Sequence, residues 1–406
     1  MEPKKVNAHL HTPYSFSAFQ DVDDALDRAK REGVEVVGIN DFYTTRGYEE
    51  WAKGCEKRGL YPLFGIEFIA LDEKEQEAGL RVNDPVNPGR TYLSGKGLAY
   101  PFRLAEPYAS RLNAVVEEAN RQVEAMCGKL NELLQSAGFG FSLDFQWITS
   151  ELTKGLVRER HLAKALRVKL LERYGGDGQK VKEALEVLFG GKALKAPMDD
   201  VAGVENEIRG NLLKAGGAAF VPEEAAAFLP VEQVREIILA AGGIPTYPFL
   251  ADNSGGGYTD FEGNLEQAAR RLTERGFHSV EFITTRNDVR RLEEYASYLH
   301  EQGFVVTFGS EHNTPAMEPI ELFARGGVPL TLKLKQINYG GACVIAAHQH
   351  LVAQGLEGYV KVDDNPLVTP GKRGDEEKQG LQGLGYVDRS RREEFVKLGD
   401  QLIQGK

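Results

Sequence analysis

The feature that most constrains this chain is a rhythm in its first part, where short apolar strands alternate with amphipathic helices and each strand ends in polar side chains. Lys5 to Leu10 is strand-like. Asp21 to Arg31 carries apolar residues at helical spacing and is followed by Gly33, a natural helix C-cap. Val34 to Ile39 is a β-branched run suited to a parallel strand buried on both faces. A second helix, about Gly47 to Lys57, stops before Gly59, and Tyr61 to Ile69 supplies a third strand. A β-α-β-α-β order of this kind predicts a parallel sheet or barrel.

The rhythm breaks near Leu71. Up to about Gly217 the sequence is mostly helical and polar, with a Pro- and Gly-rich loop from Asn83 to Pro101 and a long helix from about Glu106 to Ser136. Further helices are expected around Arg158 to Tyr174, Gln179 to Phe189 and Val204 to Lys214. Alternation resumes at Pro230, with strands expected at Ile244–Tyr247, Ser279–Ile283 and Phe304–Phe308 and helices between them. A last helical stretch, Gly340 to Gln354, precedes a polar, weakly patterned tail. The expected organisation is a barrel first part at 1–71, a helical insertion at 72–217, a barrel second part at 218–360 and a C-terminal tail at 361–406.

The chain of 406 residues has a formal net charge of −11, so no excess of Lys and Arg is present to displace the counterions of a nucleic-acid polymer. A small anionic substrate remains open, because a few local cations in a cleft outweigh a distant global charge. Three widely spaced cysteines give neither a zinc ribbon nor a disulfide framework. With no apolar leader and no apolar stretch long enough for a membrane, the expected location is cytoplasmic.

Polar clusters stand at the ends of four expected strands: His9-Leu10-His11, Asn40-Asp41, Gly65-Ile66-Glu67 and Gly309-Ser310-Glu311-His312. Parallel barrels build their sites at those ends. Residues two apart on a strand share a side, so His9 and His11 can face one ion. Neutral imidazole suits Zn, Mn or Fe, and Glu67 or Glu311 would add oxygen and charge.

In this ordered set the segment Asn7 to Ser15 resembles the opening motif of the PHP (polymerase and histidinol phosphatase) superfamily. Asn40-Asp41-Phe42 resembles its second motif, Gly65-Ile66-Glu67 its third and Gly309-Ser310-Glu311-His312-Asn313 its last. The resemblance implies a distorted (β/α)7 TIM-like barrel that holds up to three metal ions and hydrolyses phosphoesters, with a helical insertion after the third strand. Phe42, Tyr247 and Asn313 stand where the family usually has histidine. Carried over residue by residue, one site survives, with His9, His11, Glu67 and Glu311 as ligands. A one-residue shift of the last motif would bring His312 to the ion instead.

Other residues admit two readings each. Asp41 is a candidate catalytic residue, orienting an imidazole or taking a proton, or else a turn residue. The resemblance places Arg160 or His161, at the start of a helix, near a substrate phosphate, and an exposed charged turn is the alternative. Glu281 ends an expected strand and can face the cleft. His348 and His350 fall on a helix, where positions two apart diverge. Lys333 and Lys335 are expected on a solvated face.

The function expected from this reading is a metal-dependent phosphoesterase with a reduced metal cluster, in which at least one divalent ion polarises a phosphoryl oxygen. Two alternatives stand beside it: a metal-containing ligand-binding module with little or no catalysis, and a metal-dependent enzyme acting on a sugar-like substrate without phosphate.

Overall fold

The computed structural model describes residues 2–223, 227–253, 255–314, 316–361 and 386–405. Seven strands form the main path of one eight-stranded sheet: β1 (Val6–Leu10), β2 (Val36–Phe42), β3 (Tyr61–Leu71), β4 (Arg90–Lys96), β5 (Ile244–Phe249), β6 (Ser279–Ile283) and β7 (Val305–Gly309), while the two-residue strand Leu229–Pro230 pairs in parallel with the end of β3. Each pairs with the next in that order. A parallel bridge between Leu10 and Glu311 joins the last strand end to the first. There His11 N donates to Glu311 O at 2.7 Å, and Glu311 N donates to His9 O at 3.0 Å. The sheet is thus a nearly closed barrel, parallel except at β4, with added helices.

The apolar strands predicted from the sequence are present, and β2 is buried along its whole length, as a strand covered on both faces must be. Strand β4 departs from expectation. It lies inside the stretch read as a Pro- and Gly-rich loop and runs antiparallel to both β3 and β5. Its seven residues, Arg90 to Lys96, hold only Tyr92 and Leu93 as large apolar side chains between Gly89 and Gly97, and its partner β5 is distant in sequence. The close approach of the first and last strands depends on Gly309, where a Cβ would lie 2.2 Å from that of His9.

Helices at Tyr108–Ser136, Phe145–Leu152, Glu159–Arg173, Gly178–Leu188 and Val201–Ile208 share an apolar core of their own, with Val123, Leu130, Ile148, Leu166, Leu185 and Val204 at its centre. The long helix serves two cores: its first turns bury Leu112, Val115 and Ala119 against the barrel, and its later turns enter the helical cluster. That shared helix fixes the inserted helices over the C-terminal mouth of the barrel.

The opposite mouth is plugged. Helix Leu332–Ala353, longer than the stretch expected from Gly340, buries Ala342, Cys343 and Ala346 against strand starts at Val6, Val36, Ile244 and Val305. Lys333 and Lys335 are exposed on its first turns, whereas His348 is buried, accepting from Tyr359 N at 2.9 Å and lying 2.7 Å from Gly242 O. In the stretch expected to be a polar tail, 362–385 lie outside the described residues, and Arg392–Ile403 forms a helix that buries Phe395 and Ile403 beside Cys343. No helix among the described residues is long and apolar enough to cross a membrane.

Candidate metal centre and cleft

The pleat of β1 directs His9 and His11 to the same side, into the barrel, where both are fully buried. Their Nε2 atoms are 3.2 Å apart. Glu67, on β3, places Oε2 at 3.1 Å from His11 Nε2 and 3.6 Å from His9 Nε2. Three ligand atoms bound about 2 Å from a tetrahedral ion would lie roughly 3.3 Å from one another. Glu67 Oε2 is buried without a hydrogen-bond partner, an arrangement that a cation among the three atoms would satisfy. The donor set of two imidazoles and one carboxylate therefore fits a divalent ion.

The surrounding residues hold the imidazoles in place. Glu281 Oε2 lies 3.0 Å from His9 Nδ1, so an Nδ1–H tautomer donates outward and leaves Nε2 free for the ion. The same oxygen meets Lys96 Nζ at 2.7 Å, and Ser94 donates to Glu281 Oε1 at 2.5 Å. Lys96 also donates to Ala8 O at 3.1 Å and is almost wholly buried. On the other side, Ser15 Oγ lies 3.3 Å from His11 Nδ1 and donates to Asp41 Oδ1 at 2.5 Å. Asp41 also accepts from Thr12 N and Oγ1, at 2.7 and 2.5 Å, so both its oxygens brace the segment that follows β1.

Charge follows from this geometry. Burial opposes ionisation of His9, yet Glu281 and Glu67 together raise its pKa from 6.5 to about 9, against the effect of Lys96. Burial would lift Glu67, but His9 and His11 hold it down at about 2. Burial raises Asp41 above its ordinary value despite His11 and its hydrogen bonds.

The last motif is arranged differently from the expected four-ligand set. Glu311 Oε2 is taken by Arg286 at 2.6 Å and by Asn313 Nδ2 at 3.0 Å, and its carboxylate is outside the three-residue cluster. His312 spans Ser310 Oγ at 2.9 Å and Glu318 O at 2.8 Å, with its ring stacked on Phe19. Both residues have positive φ, 62° and 57°, a backbone turn that sequence register does not reveal. Phe42 stacks on the His11 ring at 4.9 Å, and Tyr247 donates to buried Glu262 at 2.8 Å.

Glu67 opens into a cleft of 340 Å³ between the barrel and the inserted helices. Phe16, Phe42, Tyr92 and Phe249 wall it, and Arg158, Arg160, Arg209 and Arg286 bring positive charge. Arg160 lies over the Phe16 ring at 5.1 Å and donates to Asn206 at 3.2 Å; burial and neighbouring Arg209 lower its pKa to about 10. His161 is buried, accepts from Arg158 N at 2.9 Å through Nδ1, and is held neutral, its pKa pushed down to about 3 by burial and then Lys164. Sequence reasoning singled out neither Lys96 nor Arg158 for itself. Lys96 sits on the unforeseen strand, whereas Arg158 was visible in the Arg158-Glu159-Arg160-His161 run.

The nearly closed, parallel-dominated barrel thus holds a His-His-Glu cluster at the C-terminal ends of its strands, where barrels of this kind build their sites. The PHP domain model matches residues 7–165. DNA polymerase III subunit alpha of Streptococcus pyogenes is 36% identical over 66 residues, which cover 16% of this chain; the chain spans only 6% of that relative's length. Two solved structures share the fold. A candidate metal-dependent phosphoesterase from Bifidobacterium adolescentis matches with a TM-score of 0.53 at 16% identity, over 83% of this chain and 96% of its own. An amidohydrolase from Chromobacterium violaceum, with bound sulfate and no metal, matches with a TM-score of 0.50 at 16% identity, over 82% and 96%.

Proposed function

We propose that this chain is a metal-dependent hydrolase of a small phosphoester. The observation that carries the reading is the cluster of His9, His11 and Glu67, whose carboxylate opens into a cleft bearing four arginines. Three protein ligands leave a coordination position open, the pattern of catalytic rather than structural sites. A divalent ion held there supplies Lewis acidity at the ester.

The chain's own residues do the rest. Glu281, steadied by Lys96 and Ser94, keeps His9 in the tautomer that presents Nε2 inward. Asp41 acts through Ser15 and Thr12 to hold the segment after β1, and so the His11 ring, in register. Arg160 offsets substrate charge from the wall of the cleft, while His161 fixes the turn that presents the arginines. The enclosing helices limit water around the reacting group.

The test is a set of phosphate monoesters and diesters assayed with Mn, Zn and Fe. Metal-dependent turnover that is lost in Glu67→Gln supports the reading. Absence of turnover with every ester and metal counts against it and favours a ligand-binding module or a substrate without phosphate.

A further inference from the structure

On β4 every second side chain points into the barrel, which gives Lys96, Ser94 and Tyr92 in order towards the C-terminal mouth. Lys96 and Ser94 are spent on Glu281. Tyr92 is not. It pairs with Ile69, two residues beyond the pair of Glu67 with Ser94, so its ring rises from the same face as the Glu67 carboxylate, roughly 7 Å further out. There it lines the cleft beside Phe42, with ring centroids 6.4 Å apart.

The placement is built. Strands β4 and β5 pair only as far as Ser94 and Thr246, and beyond them the side chain of Asn83 joins the two. Asn83 Oδ1 accepts from Tyr92 N at 2.8 Å, and its Nδ2 donates to Tyr92 O and to Pro248 O, each at 2.9 Å. The backbone is thus clamped, yet the phenol oxygen makes no hydrogen bond among the described residues and is reachable from the cleft. Among the described residues that line the cleft, Tyr92 has the only hydroxyl. Burial, then Asp84 and Glu67, hold the phenol above its ordinary range against Arg158 and Arg90, so it keeps its proton at neutral pH.

Ester hydrolysis has a use for such a group. As the bond from phosphorus to the alcohol breaks, its electron pair passes to the alcohol oxygen, which leaves more readily if it takes a proton. The other buried groups near the cluster are committed: His9 Nδ1 to Glu281, and Asp41 to Thr12 and Ser15.

We infer that Tyr92 donates its phenol proton to the leaving oxygen of the substrate, which fits the site to phosphate esters of aliphatic alcohols. Phosphorus bonds to the oxygen of the attacking water, the alcohol oxygen takes the electron pair and the phenol proton, and the proton released by the water restores the phenol. The inference rests on the phosphoester reading, and two esters separate them. Full-length protein loaded with Mn is assayed with n-propyl phosphate and with p-nitrophenyl phosphate, whose anion leaves without a proton. Tyr92→Phe should lose about 100-fold in kcat on the propyl ester, the usual contribution of a proton donor, and little on the nitrophenyl ester. Manganese content and melting temperature should match wild type, because the hydroxyl has no protein partner. An equal loss on both esters, no loss on either, or a clear fall in melting temperature overturns the inference and leaves the hydrolase reading standing. A wild-type protein that hydrolyses neither ester sinks both.

Discussion

Replacing Glu281 tests how the barrel interior supports the metal site. Its carboxylate is fully buried and meets three partners: His9, Lys96 and Ser94. Glu281→Gln removes the charge and leaves the Lys96 ammonium buried with neutral acceptors only, Ala8 O and the amide oxygen. Breaking a buried pair from one side costs about 3–5 kcal/mol, because the stranded charge keeps its desolvation cost. Replacing the carboxylate against His9 Nδ1 by a neutral amide should also lower metal affinity about 10- to 100-fold. The double variant Glu281→Gln/Lys96→Met removes both charges and should recover most of the stability but not the metal affinity. Trp51 lies in the barrel core and Trp147 in the inserted helices, so a Trp147→Phe background lets urea unfolding report on the barrel by fluorescence. Metal affinity is read by competition with a chelating dye. An unchanged urea midpoint in Glu281→Gln, or a double variant that regains wild-type metal affinity, would refute the reasoning.

Glu311→Gln should leave metal affinity unchanged, because its carboxylate is held by Arg286 and Asn313; a large loss would make Glu311 a ligand after all. Gly38→Ala should destabilise the barrel by about 1–3 kcal/mol in thermal or urea unfolding, the usual cost of overpacking, since its Cβ would lie 2.4 Å from Ala8 O on the neighbouring strand. The metal-free protein should lose stability as pH rises from 6.5 through about 9, because folding raises the His9 pKa and its charged form is then given up. Acid should remove the Glu67 contribution, which is present above pH 4.5 and lost towards about 2. Melting curves across pH check both signs, and metal affinity should climb over the alkaline window as the proton on His9 ceases to compete.

The sequence by itself determined the parts of this protein that depend on local pattern. β-branched runs and helical spacing placed six of the seven barrel strands, because burial on both faces leaves continuous apolar stretches. The two-residue period placed His9 and His11 on one side, and the third motif added Glu67. Tertiary structure decided what depends on distant partners. Strand β4 exists because β3 and β5 flank it, and only there does Lys96 reach Glu281. A left-handed turn, which the spacing of the motif does not reveal, directs Glu311 to Arg286 and His312 to Glu318. Spacing along a chain fixes which side chains share a face, whereas the partner that satisfies a buried charge is set by the approach of segments far apart in sequence.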